Sequence, residues 1–135
     1  MSAPTAFFGR TYDEAFALLE EARDYVAHGQ RVECRDIATP VRARVALETT
    51  RMTSRLIHVM AWLLARKAVH AGEITAAEAT RPPYGFERRE LLASDETSLA
   101  AAPLPPMLES LTERSQKLYV RVSRLDELAR RDVDA

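Results

Sequence analysis

The sequence predicts an all-α fold, an antiparallel three-helix bundle with a long central helix and a long Pro-rich loop before the third helix. Three segments space their apolar residues three and four positions apart, which is the period of an amphipathic helix. No segment alternates apolar and polar residues as a strand does. With 47% hydrophobic residues and 4 glycines in 135 residues, the chain suits one compact domain, residues 1–135. We expect helices at approximately 11–28, 40–71 and 106–131.

The first predicted helix opens on a capping box. In the stretch Thr11-Tyr-Asp-Glu14, the threonine and glutamate side chains can satisfy free amide groups of the first turn. Apolar residues then recur at helical spacing as far as Val26, and Gly29 is a typical C-terminal stop. The residues that follow, 30–38, lack a helical period and predict a linker.

The second predicted helix begins where Thr39 can cap and Pro40 can take the first helical position, and Gly72 follows its end. A helix over 40–71 would be about 48 Å long at about 1.5 Å per residue. Two neighbouring apolar seams run along it beside a strip of small residues, so its middle has to be covered on nearly three sides. Two helices of the same chain can cover two of these sides. For the third we expect a second copy, which predicts a homodimer.

The third predicted helix starts at the prolines Pro105 and Pro106 and carries the clearest amphipathic pattern of the chain. An unbroken apolar seam runs along it in steps of three and four residues, as in helices that pack in bundles. The seam consists of Leu108, Leu111, Ser115, Leu118, Val122, Leu125 and Ala129.

Between the second and third helices, the sequence predicts a long irregular loop over Thr80–Pro106 that holds five of the 7 prolines. Loops of this length inside a compact domain are usually functional or disordered. Tyr84 and Phe86 stand in it among charged residues, a composition that suits a docking segment for a partner. The alternative is that Phe86 fills a gap between helices.

Composition excludes several function classes. The net charge is −1, which disfavours nucleic-acid binding through a broad basic face. Every apolar run is much shorter than the roughly 20 residues of a membrane span, and the start lacks the apolar core of a signal peptide. The single cysteine, Cys34, fits a reducing compartment. We therefore expect a cytoplasmic protein that binds neither nucleic acid nor membrane. No metal, cofactor or catalytic motif is present, so we expect no cofactor.

The one tryptophan, Trp62, falls among cations rather than among leucines. At about 100° per residue, it shares a narrow helical face with Arg51, Arg55, His58 and Arg66. Tryptophan and arginine dominate the energetics of many protein interfaces, so this face is a candidate partner-binding ribbon. Alternatively, the Pro-rich loop folds back over Trp62, with Tyr84 or Phe86 against it and Arg66 on the ring, or Trp62 is freely exposed.

A second candidate ribbon lies on the third helix, opposite its apolar seam. It comprises Arg114, Lys117, Arg121 and Arg124, of which Arg121 and Arg124 are our candidates for partner contacts. The alternative function class is an enzyme. In a small all-α enzyme of chorismate-mutase type, Arg51, Arg55 and Arg66 would hold an anionic substrate, which requires that they converge in one pocket.

Three blocks of the sequence resemble one family in order and spacing. They are TYDEAFALLEEARDYV (11–26), LETTRMTSRLIHVMAWLLARKAVHAGEIT (47–75) and SQKLYVRVSRLDELA (115–129). Together they are similar to the regulator of CtrA degradation family, a DUF1465-type domain.

The resemblance implies a non-enzymatic adaptor in regulated proteolysis during the cell cycle. Family members are understood to be helical-bundle dimers that help to deliver cell-cycle regulators to the ClpXP protease together with other adaptor proteins. The partners implied for this chain are therefore the ClpXP machinery, other adaptors and cargo regulators. The absence of a catalytic motif agrees with this class, while the link to proteolysis comes from the resemblance alone.

Overall fold

The fold is all-α, as the sequence predicts. A computed structural model describes residues 2–86, 89, 92 and 102–134, with side chains from Phe8 onward, and these residues contain helices and turns without a strand. The main helices are α1 (Ser2–Asp24), α2 (Gln30–Glu33), α3 (Thr39–His70) and α4 (Pro106–Asp134). A π-helical turn, Tyr25–Gly29, joins α1 to α2, and a 3-10 turn, Glu78–Thr80, follows α3.

The first helix is longer than its sequence signals indicate. It starts at Ser2, so the capping-box pattern at Thr11 lies inside the helix, where Thr11 is buried. Gly29 does not stop it either, because the π turn carries the backbone into α2, and the linker expected over residues 30–38 begins only after Glu33. The predicted bounds of 11–28 are therefore wrong at both ends.

The π turn also brings two side chains together. Residues eight positions apart in a regular helix point about 80° away from each other, at about 100° per residue. A π turn absorbs an extra residue, so Tyr25 and Glu33 are related as residues seven apart, which differ by only about 20°. The hydroxyl of Tyr25 accordingly donates to Oε1 of Glu33 at 2.6 Å.

Glu33 in turn caps the start of α4. The backbone N–H groups of Met107 and Leu108 donate to its carboxylate at 2.7 and 3.3 Å. The first amides of a helix have no partner within that helix and favour a negative charge. A residue of α2 thus satisfies the start of α4 and fixes one end of the bundle.

The hydrogen bond between Tyr25 and Glu33 predicts that the free energy of unfolding depends on pH. Burial, and secondly the hydrogen bond to Glu33, raise the pKa of Tyr25 far above its ordinary value. The stability that Tyr25 supplies is therefore fully present below about pH 10, the ordinary tyrosine pKa, and is lost above it. We expect Tyr25→Phe to lower the free energy of unfolding by about 1 kcal/mol at neutral pH, and the gap to wild type to narrow above about pH 10. Urea unfolding across this pH range measures the difference in unfolding free energy between Tyr25→Phe and wild type. Tyr84→Phe, at an exposed ring, is the control. A difference that grows above about pH 10 would contradict the prediction.

The ends of α3 and the turn after it follow their sequence signals closely. The helix covers Thr39–His70, one residue from the predicted 40–71, and Gly72 follows in the left-handed conformation with a φ of 77°. Further on, Thr75 and Glu78 form a reciprocal capping box, with each side chain bonded to the backbone N–H of the other at 3.0 and 3.2 Å.

The direction of α4 differs from the predicted antiparallel arrangement. Arg55 bonds to Ser115, and seven residues later Trp62 bonds to Asp126, so contacts advance along both helices and α3 runs parallel to α4. Between α1 and α4, Glu21 pairs with Arg114 and Glu14 pairs with Arg121. The residue numbers fall along α1 as they rise along α4, so these two helices are antiparallel. The connection of residues 71–105 is what permits this, because an extended chain at about 3.3 Å per residue can return along the full length of α3.

Within this arrangement the core lies between the three long helices. Its largest fully buried apolar side chains are Trp62, Tyr119, Met52, Leu56, Leu63, Leu108, Leu111 and Leu118. In the predicted loop, Phe86 and Leu92 belong to the core, while residues 87, 88, 90, 91 and 93–101 lie outside the described part of the chain.

Candidate functional site

The cationic ribbon expected on α3 is largely an internal structure. Trp62 is 1% exposed, Arg51 2% and Arg55 0%, because the parallel α4 and the connection cover this face. The prediction that these three residues form an exposed binding surface is therefore wrong. His58 and Arg66 are half-buried at its edge.

Trp62 is satisfied entirely within its own chain. Its indole N–H donates to Oδ1 of Asp126 at 2.9 Å, and the ring of Phe8 meets it edge-on at 5.5 Å. The guanidinium of Arg66 lies 5.4 Å from the centre of the indole ring, as one alternative from the sequence predicts. Next to Trp62, a small cavity of about 310 Å³ is lined by the loop residues Pro82 to Phe86.

Arg55 is a buried cation with several oxygen acceptors. Its Nε donates to the carbonyl of Leu92 at 2.7 Å, and its Nη1 donates to the carbonyl of Thr112 and the hydroxyl of Ser115 at 3.2 and 3.3 Å. A buried charge is tolerated only when such partners compensate for its lost hydration. Arg55 therefore ties the connection to α3 and α4.

Arg51 is buried as one half of an ion pair. Its Nη1 lies 2.7 Å from Oε1 of Glu48, one turn earlier on the same helix, and both side chains are almost fully enclosed. This arrangement neutralises a second cation of the predicted ribbon inside the protein.

Three side chains, the buried Arg55 and Tyr119 and the partly exposed Arg130, hold the connection through its backbone. Arg130 donates to the carbonyl of Phe86 at 3.2 Å, and the hydroxyl of Tyr119 accepts from the N–H of Arg89 at 3.0 Å. Arg55 bonds to Leu92 as described above. These bonds hold Phe86, Arg89 and Leu92 of the connection in place. Sequence reasoning missed Tyr119 and Arg130 in this role. It also missed Asp126, which accepts from Arg130 at 2.8 Å and from the indole of Trp62.

The two candidate partner-binding residues of the predicted loop, Phe86 and Tyr84, differ in their exposure. Phe86 is buried and its ring meets that of Tyr119 edge-on at 5.1 Å, so it fills a gap between helices and is wrong as an exposed docking residue. Tyr84 is 44% exposed and remains a candidate for partner contacts.

The ribbon on α4 is at the surface, and part of it is engaged in ion pairs with α1. Arg121 pairs with Glu14, and Arg114 pairs with Glu21, each with a shortest distance of 2.6 Å. The hydrogen bond from Arg114 holds the pKa of Glu21 below its ordinary value. Arg124 is exposed on the same helix.

The arginines of the enzyme alternative do not share one cavity. Arg55 lines a cavity of about 400 Å³ that contains neither Arg51 nor Arg66, and in which three cations, Arg44, Arg55 and Lys117, are balanced by three carboxylates, Glu48, Glu109 and Glu113. Arg66 lines a different opening, between α1 and α3. Nowhere in the described part of the chain do three His, Cys, Asp or Glu side chains converge as metal ligands would.

Two apolar features remain at the surface. Ile57 and Leu64 of α3 are 58% and 51% exposed and belong to a set of large apolar side chains that are about half exposed. A groove of about 870 Å³ lies between the first turns of α1 and the last turns of α3. None of the described helices has the length and apolarity that crossing a membrane requires.

Comparison with known proteins gives two findings. The family described as protein of unknown function DUF1465 matches residues 2–135. The crystal structure of RcdA from Caulobacter crescentus CB15 is similar at a TM-score of 0.72 and 30% sequence identity, over 90% of this chain and 89% of that one. No curated protein sequence matches significantly.

Proposed function

Since the chain belongs to the DUF1465 family and shares the fold of RcdA, the regulator of CtrA degradation, we propose that it is a non-enzymatic adaptor. It binds other proteins and helps to deliver cell-cycle regulators to the ClpXP protease. The observation that carries the proposal is the similarity to RcdA over nine tenths of the chain. The burial of Arg51 and Arg55 against acceptors of the protein itself supports it, because the hydrogen bonds and the ion pair of these cations stabilise the fold.

Reconstituted proteolysis tests the proposal. A cell-cycle regulator is incubated with ClpXP and the other adaptor proteins, with and without this chain, and its decay is followed. An adaptor raises the local concentration of cargo at the protease, so we expect the chain to accelerate decay without itself being consumed. Equal decay in both reactions, or turnover of a small metabolite by the purified chain, would overturn the proposal.

The surface of α4 is the charged face that we assign to partner contacts. Arg121→Glu together with Arg124→Glu should slow cargo decay several-fold, because complementary charges accelerate encounter and set register, and added salt should reproduce the effect. The melting temperature should change little, since the pair of Arg121 with Glu14 is exposed and such pairs contribute about 1 kcal/mol or less.

A charge-exchange variant separates surface charge from ion pairing. Glu14→Arg with Arg121→Glu keeps the pair between α1 and α4 while reversing its polarity. If α4 meets a partner, this variant also delivers cargo slowly; wild-type delivery by both variants would refute the charged face.

We further propose a homodimer through the exposed apolar side of α3. Ile57 and Leu64, with the half-buried Met60 between them, follow one helical face. Ile57→Asp would place a carboxylate in that interface, so we expect it to shift the sedimenting species from dimer to monomer at micromolar concentration. Leu128→Asp, at an equally exposed leucine of α4, is the matched control. Wild-type protein that sediments as a monomer would exclude the dimer.

A further inference from the structure

The groove between α1 and α3 is a large, mainly apolar recess that no described side chain of the protein fills. Its volume of about 870 Å³ lies in the range of functional binding sites, about 300–1,000 Å³. Aromatic rings form one wall and aliphatic side chains of α3 form the other. The apolar lining consists of Phe8, Tyr12, Leu63, Leu64, Ala68 and Val69.

Two cations stand on this apolar lining. The ammonium group of Lys67 lies 4.0 Å from the centre of the Tyr12 ring, and Arg66 stacks on Trp62. Aromatic faces hold both groups in place by cation–π attraction. The positive charges are therefore fixed beside apolar surface, which suits a ligand that combines apolar groups with a negative charge.

The side chain of Arg66 is half-buried and lines the groove, so a ligand in the groove can reach the exposed part of its guanidinium. Its Nε, which is closed to solvent, has no hydrogen-bond acceptor within the described residues, so this cation is not fully satisfied by its own chain. Burial lowers the pKa of Arg66, and the neighbouring carboxylate, Asp126, only partly offsets it. That carboxylate is already occupied by Trp62 and Arg130. An external carboxylate would supply what the chain does not.

The charges at the mouth of the groove limit how acidic its ligand can be. Asp13 and Glu73 also line it and are exposed, so a segment with many carboxylates would be repelled. A ligand with one carboxylate on an otherwise apolar face can pair that carboxylate with Arg66 and avoid strong repulsion by Asp13 and Glu73. An amphipathic helix that lays an apolar face into a groove has this character.

We propose that this groove docks a short amphipathic segment of a partner protein, whose apolar side chains fill the groove and whose single carboxylate accepts hydrogen bonds from Arg66. The inference rests on the proposed adaptor function and names the site and chemistry of one partner contact. It is separate from the α4 face, and it borders the exposed side of α3 assigned to the dimer, because Leu64 belongs to both surfaces.

Gly9 offers a way to close the groove without disturbing the fold. It lines the groove, and a Cβ atom built on it meets no heavy atom within 4 Å. Gly9→Phe should therefore occupy the groove with its ring. Gly9→Ala is the matched control, because it makes the same helix-favouring change and leaves the groove open. Arg66→Gln removes the charge, and Arg66→Lys retains it.

The probe is a displayed library of random twelve-residue peptides, selected on the wild-type protein and then measured as synthetic peptides by fluorescence anisotropy. We expect selected peptides to carry apolar residues at helical spacing and one Asp or Glu. Their affinity should fall at least about tenfold on Gly9→Phe and on Arg66→Gln, and stay unchanged on Gly9→Ala. Exchanging the peptide's Glu for Gln should weaken binding to wild type but not to Arg66→Gln.

Three results would overturn the inference. They are selected peptides that bind Gly9→Phe as tightly as wild type, selected peptides with a basic residue in place of the acid, and a change of sedimenting mass in Gly9→Phe, which would show that a second copy fills the groove. Cargo delivery by wild type is measured in parallel. Delivery without groove binding refutes this inference alone, whereas groove binding without delivery refutes the proposed adaptor function alone.

Discussion

Trp62→Ala is expected to lower the free energy of unfolding by about 3–5 kcal/mol, the usual result of truncating a fully buried large side chain. The indole is enclosed by Phe8, Arg66 and Asp126 of its own chain, so truncation opens a cavity between three helices. It also leaves Asp126 without one of its two donors. Urea unfolding followed by circular dichroism measures the loss.

Two further variants make the result specific. Leu64→Ala, two residues along α3 at a half-exposed position, should cost less than about 1 kcal/mol. Trp62→Phe keeps most of the ring but removes the N–H group, and we expect about 1–3 kcal/mol from the carboxylate left short of a donor. If Trp62→Ala melted like wild type and only lost a partner, the indole would be an interface residue after all.

Glu48→Ala is expected to destabilise the protein by about 3 kcal/mol or more, because it leaves the guanidinium of Arg51 buried without its carboxylate. The two groups are 2.7 Å apart and almost fully enclosed. The double variant Glu48→Leu with Arg51→Met removes both charges and keeps apolar volume, so it should regain most of that loss. A double-mutant cycle of unfolding free energies measures the coupling.

The exposed pair of Glu14 and Arg121 is the control for burial. Its distance, 2.6 Å, is nearly the same, yet Glu14→Ala should change stability by less than about 1 kcal/mol because water screens the charges. Equal losses at Glu48 and Glu14 would show that distance rather than burial governs these pairs.

The helical periods predicted which residues share a face, but not what covers that face. Trp62 does share a helical face with Arg51, Arg55 and Arg66. From the sequence alone such a face indicates the protein surface, because cations are rarely buried without partners. Their partners are backbone carbonyls of the connection and side chains far along the chain. A pattern within one helix carries no information about such acceptors.

The first helix and the orientation of α4 show the same limit for local signals. The Thr-x-x-Glu pattern forms a capping box at Thr75 and Glu78, whereas the same pattern at Thr11 lies within a helix that has already begun. Gly29 does not act as a stop because its backbone is right-handed helical, with φ −71° and ψ −34°, and not in the left-handed conformation of a C-terminal stop. The parallel pairing of α3 and α4 depends on the length of the connection, which apolar periodicity does not report.

That parallel pairing also determines the order in which the molecule can assemble. The bonds between α3 and α4 join residues 57 to 64 positions apart in the chain, while α1 and α3 are joined by the shorter stretch 25–38, of which only 34–38 lie outside a helix. Closing a long loop costs more chain entropy than closing a short one, and non-local contacts slow folding. The hairpin of α1 and α3 therefore forms ahead of the docking of α4. A nascent chain therefore leaves Trp62, Arg51 and Arg55 uncovered until α4 has been synthesised and has docked.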